Sequence, residues 1–306
     1  MSFKRRKFLF LSTLSFFGVA LWNKIHGRES PTQEKSAIAS GADDLKLKPS
    51  PTPLLRFISV ADTGTGDRGQ YAVAEAMTAY HRQNKFNVAI LAGDNIYNNG
   101  EIEKIQAVFE RPYQPLLKQG VKFYACLGNH DIRTANGDPQ VRYPGFNMQG
   151  RFYTFRRDPV QFFALDTNSN ADWDTQLAWL EKELSRSDAP WKIVFGHHPV
   201  YSSGHYGNNQ TFIKQFTPLF QKYGVQLYIN GHDHNYERSR PINGTTYMIT
   251  GGGAGTRPVN RSEWTALSAS KLSFATYEVY ADRIEISAIG TDNRVFDKGS
   301  IKLRSA

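Results

Sequence analysis

Asn87-Val88-Ala89-Ile90-Leu91-Ala92-Gly93-Asp94-Asn95-Ile96-Tyr97 decides how this chain is read: a mostly apolar run of strand length stops at a glycine and gives way to a cluster of polar side chains. A short apolar run bounded by turn residues reads as a buried strand. The glycine stands where a side chain would obstruct a sharp turn or the approach of backbone to an ion. The same pattern recurs on both sides. Leu54 to Val60 runs into Ala61-Asp62-Thr63-Gly64, and Val121 to Leu127 runs into Gly128-Asn129-His130-Asp131. Further on, Trp191 to Phe195 ends at Gly196-His197-His198-Pro199, and Val225 to Asn230 ends at Gly231-His232-Asp233-His234.

Helical segments lie between these strands. Gly69 to Lys85 places Val73, Met77 and Tyr80 on one face, and Thr175 to Arg186 does the same with Leu177, Leu180 and Leu184. Alternating strands and helices predict a sheet with helices on its faces, and in such sheets ligands gather beyond the carboxyl ends of the strands. The last strands, around Phe274 to Val279 and Arg283 to Ser287, alternate like members of a second sheet packed on the first. The predicted fold is α/β, a two-sheet β-sandwich flanked by helices, with five strand ends converging on one site.

The chain has 306 residues, 40% hydrophobic and 13% aromatic, enough to bury a full core. Its net charge of +9 is unevenly placed, since Lys4, Arg5, Arg6, Lys7, Lys24 and Arg28 precede the first acid, Glu29. The remaining body is only mildly basic, which argues against nucleic-acid binding as the main task. The only cysteine, Cys126, excludes an internal disulfide framework and sits in a run that reads as a core strand.

Residues 1–27 read as an address. An apolar run from Phe8 to Trp22 follows a basic cluster, the layout of a secretory signal, and is short for a transmembrane helix. Lys4-Arg5-Arg6-Lys7-Phe8-Leu9 resembles the bacterial twin-arginine export signal. The expected location is therefore periplasmic or extracellular. If cleavage at a small-residue site such as Ala37-Ile38-Ala39 does not occur, the segment would remain as a short membrane anchor. Residues 28–53, rich in Pro and Ser, read as a linker, and residues 54–306 as the catalytic body.

Asp, Asn, His and Tyr offer oxygen and imidazole nitrogen donors, and the body lacks the thiolates of a structural zinc site. Such a set suits iron, manganese or zinc. His232 and His234 are two apart, so on an extended segment both rings emerge on the same side.

The five blocks, in this order and at these spacings, resemble the motifs of the calcineurin-like metallophosphoesterases, and Tyr97, three residues after Asp94, resembles the purple, tartrate-resistant acid phosphatase branch. The resemblance implies a four-layer fold and two metal ions. Asp62, Tyr97 and His234 would hold one ion, Asn129, His197 and His232 the other, and Asp94 would bridge them. It further implies Fe(III) in one position, because a phenol titrating near ~10 binds as phenolate only to a strongly acidic cation, with divalent iron, zinc or manganese in the other. The implied activity is that of a hydrolase, an acid phosphatase in which metal-bound hydroxide attacks the phosphorus of a small phosphate monoester. One departure is visible: Ala61-Asp62-Thr63-Gly64 stands where the family usually has Gly-Asp-Trp-Gly, so the ligand is kept and an aromatic is lost.

His130, beside Asn129, is expected to bind phosphate or act as general acid. His205 falls one residue out of register with another substrate-side histidine of the family. His198 is expected to face away from the ions, Asp131 to orient its block or hold a turn, and Asp166 to be structural. Glu237 and Arg238 are expected to pair with each other at the surface, and Gly251 to Gly255 to form a tight turn near the site. Alternatives are a phosphodiesterase acting on nucleotides or lipid headgroups at the same metals, an iron redox centre, and a binding protein that kept the motifs without catalysis.

Overall fold

A computed structural model describes residues 52–303; the address segment and most of the linker lie outside the described residues. In chain order the strands are β1 Leu55–Val60, β2 Val88–Leu91, β3 Lys122–Ala125, β4 Tyr153–Arg157, β5 Val160–Ala164, β6 Trp191–Phe195, β7 Leu227–Asn230, β8 Tyr236–Ser239, β9 Thr246–Thr250, β10 Thr265–Ala269, β11 Ser273–Val279, β12 Arg283–Gly290 and β13 Val295–Lys302. The helices are α1 Arg68–Gln83, α2 Gln114–Leu117, α3 Asp138–Val141, α4 Trp173–Arg186 and α5 Gln210–Tyr223.

The strands form two sheets. One has six strands in the order β13-β12-β11-β1-β2-β3, the other seven in the order β10-β8-β9-β7-β6-β5-β4. Period-2 alternation divides the side chains of β1: Leu55 and Phe57, with Ala61 just beyond, enter the core between the sheets, and Ile58 and Val60 enter the core under α1. Phe57 stacks on Tyr277 of its own sheet at 4.4 Å and meets Phe162 of the facing sheet edge-on at 5.1 Å. Burying a ring of that size contributes about 1.5–3 kcal/mol. On the far side, Phe163 and Val194 pack against Leu180 and Leu184 of α4 and Phe216 and Phe220 of α5. The layers run helix, sheet, sheet, helix, the four-layer sandwich expected.

The membership of the sheets differs from the expectation. The C-terminal strands do not build the second sheet; β11 pairs antiparallel with β1, so β11 to β13 widen the first. The second sheet is made by β4 to β10, and the five ligand-bearing strand ends divide between the two, β1, β2 and β3 from one and β6 and β7 from the other. Alternation within a strand tells which residues share a face and not which neighbour the strand pairs with.

The helix ends have local causes. The Asp67 carboxylate accepts from the backbone N–H of Gly69 and Gln70, capping α1 so that it starts at Arg68, one residue before the predicted start. Helix α5 begins on Asn209, whose side chain accepts from Phe212 N–H, and ends on Gly224 in the left-handed region at φ 67°. Cys126 is buried between the sheets as a free thiol. Among the described residues, no helix is long and apolar enough to cross a membrane.

Candidate metal centre

Asp62 and Asp94 lie just beyond the neighbouring parallel strands β1 and β2, and both take left-handed backbone conformations, φ 57° and 52°. His232, just beyond β7 in the facing sheet, does the same at φ 68°. Non-glycine residues adopt this region rarely and at a cost of about 1–3 kcal/mol, and such residues concentrate at functional sites. The strain is held by hydrogen bonds between the strand-end loops, one across the two sheets and one within the six-stranded sheet. His232 N–H donates to Asp62 Oδ2 at 2.9 Å, and His130 N–H donates to Asp94 Oδ1 at 2.9 Å.

Two glycines permit that proximity. A Cβ on Gly128 would lie 2.2 Å from Asp94 Oδ1, and one on Gly231 would lie 2.3 Å from Asp62 Oδ2. Neither position has room for a side chain.

The seven expected ligands come together. Donor atoms of Asp62, Asp94 and His234 lie within 4.8 Å of one another. Inside that group the Tyr97 hydroxyl is 2.9 Å from Asp94 Oδ2, 3.1 Å from Asp62 Oδ1 and 3.2 Å from His234 Nε2. On the other side His197 Nε2 is 3.2 Å from Asn129 Oδ1, 3.2 Å from His232 Nδ1 and 3.4 Å from Asp94 Oδ2. Asp94 Oδ2 thus touches both groups.

The donor set fits cations. One phenolic proton cannot satisfy both the Asp62 and the Asp94 carboxylate beside Tyr97, and His197 faces a similar surplus because its Nδ1–H is committed to the Ala92 carbonyl at 2.9 Å. That bond turns Nε2 and its lone pair toward the cluster, the arrangement in which metal-binding imidazoles are held. Burial, then the Asp62 and Asp94 carboxylates, push the Tyr97 phenol far above its ordinary value, so only a strongly acidic cation would convert it to phenolate. Burial, followed by the charge of His197 and His198, pushes His232 down to about 2, leaving it a neutral donor. For His197, burial opposes protonation, yet the Asp94 carboxylate outweighs it and raises the imidazole to about 10. A metal arriving there must displace that proton.

His198 does not face away. Its ring centroid is 4.4 Å from that of His232, and its nitrogen falls within 4.8 Å of those of His197 and His232. The Thr167 hydroxyl accepts from the His197 and His198 backbone N–H groups at 3.1 and 2.9 Å and bonds His198 Nδ1 at 2.9 Å, so one threonine turns both rings inward.

The buried carboxylate of Asp131 accepts from the N–H groups of Asn95, Ile96 and Gly128 at 2.9, 3.0 and 2.7 Å and from Gln140 Nε2 at 3.1 Å. It fastens the loop that carries Asp94 to the loop that carries Asn129. Asp166 is likewise buried, bonded to Arg151 Nε at 2.9 Å and to Asn168. The turn at Gly251 to Gly255 lies beside the site, with Gly251 against the Asp233 carbonyl.

Glu237 and Arg238 do not pair with each other, because neighbours on β8 point to opposite faces. Glu237 is buried and accepts from Ser203 N–H at 2.8 Å and Ser203 Oγ at 2.6 Å, while Arg238 reaches across to Asp297 of β13 at 2.7 Å. Glu237 and Asp233 hold the 202–206 loop, Asp233 accepting from Ser202 Oγ at 2.5 Å and His205 N–H at 2.9 Å.

His130 Nδ1 lies 2.7 Å from the Asn98 carbonyl and its Nε2 lies 4.0 Å from Asp94 Oδ2, beside an Arg133 nitrogen at 3.3 Å. The His205 ring is exposed and packs on Tyr206 at 4.9 Å. Two contributors were not read from the sequence. Tyr206 lies over His232, and Arg257 donates to the Tyr206 hydroxyl at 3.1 Å. Neither carries a local signal, since each is single, outside the five blocks and placed by a loop.

The calcineurin-like phosphoesterase family model matches residues 55–236. Tartrate-resistant acid phosphatase type 5 of Oryctolagus cuniculus is 31% identical over 240 residues, covering 66% of this chain and 74% of that protein. The structure of purple acid phosphatase PPD1 from yellow lupin seeds superposes with a TM-score of 0.69 at 20% identity, over 83% of this chain and 55% of that one. GAP50 of Plasmodium, described as the anchor in the inner membrane complex, shares the fold at a TM-score of 0.73 and 21% identity, over 82% of this chain and 89% of that one. The chain is a hydrolase of the calcineurin-like phosphoesterase family and belongs to its tartrate-resistant or purple acid phosphatase branch.

Proposed function

We propose that this metallophosphoesterase hydrolyses small phosphate monoesters at a centre of two metal ions. One ion would be held by Asp62, Tyr97 and His234, the other by Asn129, His197 and His232, with Asp94 shared. The observation that carries the reading is the position of Asp94 Oδ2, 2.9 Å from the Tyr97 hydroxyl and 3.4 Å from His197 Nε2, where one carboxylate serves both donor groups.

When bound, a metal pair supplies Lewis acidity for the phosphoryl oxygens and lowers the pKa of the attacking water. Tyr97 favours Fe(III) on its side, with divalent iron, zinc or manganese on the other. Fe(III) and a divalent ion bring five positive charges against two carboxylates and one phenolate, an excess that attracts a phosphate dianion. His130 stands over Asp94, held through Nδ1 by the Asn98 carbonyl and bonded at Nε2 by Arg133, a contact that a phosphoryl oxygen or the leaving oxygen would replace. Water supplies the oxygen that joins phosphorus, the phosphorus to alkoxide bond breaks, and His130 hands a proton to the departing alkoxide, which leaves as the alcohol, while the proton given up by the water restores the imidazolium. His205 at the rim would meet the ester group from outside.

The address at residues 1–27 belongs to the same proposal: export by the twin-arginine route or retention as a short anchor. Replacing Arg5 and Arg6 together by lysine should leave the protein inside an expressing bacterium, and unchanged export would exclude that route.

The activity is tested on protein folded with iron available, by metal analysis and by phosphate release from a panel of mono- and diesters. Two metals per chain and hydrolysis of monoesters are expected. Asp94→Asn should abolish release, and retained activity in that variant would rule out a shared carboxylate.

A further inference from the structure

Beside the metal centre lies a cavity of about 390 Å³ walled by Asn129, Thr167, His198, Asn168, Trp173 and Gln215 among others. Its size falls in the range of small-molecule sites, roughly 300–1,000 Å³. Two walls are shared with the centre: Asn129 belongs to the candidate ligand set, and His198 lies against His232. A phosphate ester seated on the metals would have this space next to it.

Among the described residues, no Asp, Glu, Lys or Arg lines the cavity. Its polar groups are amides and hydroxyls, and its apolar walls are Ile132, Trp173 and Phe212. Trp173 packs on Phe212 at 5.3 Å and is anchored by its ring N–H to the Asn168 carbonyl at 3.1 Å, so the flat wall is held in place from two sides.

Two wall residues carry unpartnered acceptors. Asn168 is buried, and its Nδ2 donates to Asp166 Oδ1 at 2.7 Å and to the Leu127 carbonyl at 3.2 Å, which fixes its Oδ1 as an acceptor with no partner among the described residues. Gln215 Oε1 is likewise buried without a partner. Buried acceptors left unpaired are costly, and here that cost stands in the wall behind the amide and hydroxyl groups of Asn129, Ser169, Asn209 and Thr211.

We propose that this cavity is the leaving-group subsite and that it selects monoesters of an uncharged, ring-bearing alcohol with hydrogen-bond donors, of the size of a nucleoside, over esters carrying further charged groups. The amide walls match neutral donors, Trp173 matches a ring face, and a second phosphate or carboxylate would enter a space with no cation to meet it. This rests on the metallophosphoesterase reading and deepens it.

The test compares a nucleoside 5′-monophosphate with methyl phosphate, which has no group to fill the cavity, using the full metal-loaded chain. Thr211→Glu sets a carboxylate on the cavity wall at the second position of α5, where an acidic residue suits the helix start and does not endanger folding. Gln215→Leu, one turn on, removes an unpaired acceptor. Both should raise KM for the nucleotide by roughly fivefold or more, the scale of one hydrogen bond, and leave methyl phosphate unchanged. Adenosine, which has no phosphate, should inhibit competitively and bind the Thr211→Glu protein more weakly. If both variants keep the nucleotide's KM, or adenosine does not bind, the subsite is wrong while the phosphatase reading stands. If wild-type protein hydrolyses neither ester, the reading beneath it fails and the proposal falls with it.

Discussion

The Tyr206 ring lies nearly flat on the His232 imidazole, centroids 3.9 Å apart and planes at 22°, and the Arg257 guanidinium sits 5.5 Å from the same tyrosine ring. A loop residue thus caps a candidate metal ligand. An aromatic pair of this kind is worth about 0.5–1.5 kcal/mol, roughly two- to twelvefold in an equilibrium constant. Tyr206→Ala should weaken metal binding by that factor in a calorimetric titration of metal-free protein, and Tyr206→Phe should not. Equal affinity of the alanine variant and wild type would show that the stack does not steady His232.

The Tyr97 hydroxyl meets Asp62, Asp94 and His234 at 2.9–3.2 Å. Iron-loaded wild-type protein should absorb visible light through a tyrosinate bond to Fe(III), and Tyr97→Phe should lose that band while still binding metal through the remaining ligands. A variant that keeps the band would remove Tyr97 from the coordination scheme.

Gly128 backs onto Asp94, and a Cβ there would sit 2.2 Å from Oδ1 and 2.3 Å from the Asp94 backbone nitrogen. Gly128→Ala must push apart the loops that carry Asp94 and Asn129. Displacements near 1 Å can cost about 100-fold in rate, so phosphate release should fall at least that far while far-UV circular dichroism stays native. Wild-type turnover would mean that the loops have slack the contacts do not suggest.

Arg238 of one sheet and Asp297 of the other form a bidentate pair at 2.7 and 2.9 Å, joined by the Tyr236 hydroxyl at 2.7 Å. Burial raises the Asp297 carboxyl, but the Arg238 and Tyr236 hydrogen bonds outweigh it and hold the group below its ordinary 3.8. A carboxyl depressed on folding stabilises the native state fully above its unfolded pKa and loses that contribution as pH falls through the folded value. Asp297→Asn should therefore cost about 1–3 kcal/mol at pH 7, read by urea denaturation, and the gap to wild type should narrow as pH is lowered below ~4. A gap that stays constant with pH would show that the carboxylate's charge is not what joins the sheets.

Five strand-end blocks, the glycines Gly93, Gly128, Gly196 and Gly231 that precede four of them, and seven oxygen and nitrogen donors were legible along the chain, because a strand that ends at a site must place its ligands within a few residues of its last apolar position. Helix α1 was legible to within two residues at each end for the same local reason, a 3.6-residue pattern closed by a cap. Sheet membership was not legible: β11 sits beside β1 through pairs such as Phe57 with Tyr277, 220 positions apart. Nor was the inward turn of His198, which depends on Thr167, or the separation of Glu237 from Arg238, which depends on which face of β8 each occupies.

The sequence by itself determined the donor types, their order and their proximity to strand ends, since those follow from covalent spacing and the period of the backbone. Only the tertiary structure decided which loops meet across the two sheets, bringing Tyr206 over His232 and the uncharged cavity against Asn129 and His198. The physical reason is that contacts between residues far apart in the chain are selected by burial and close packing of the whole core, and no local pattern records that outcome.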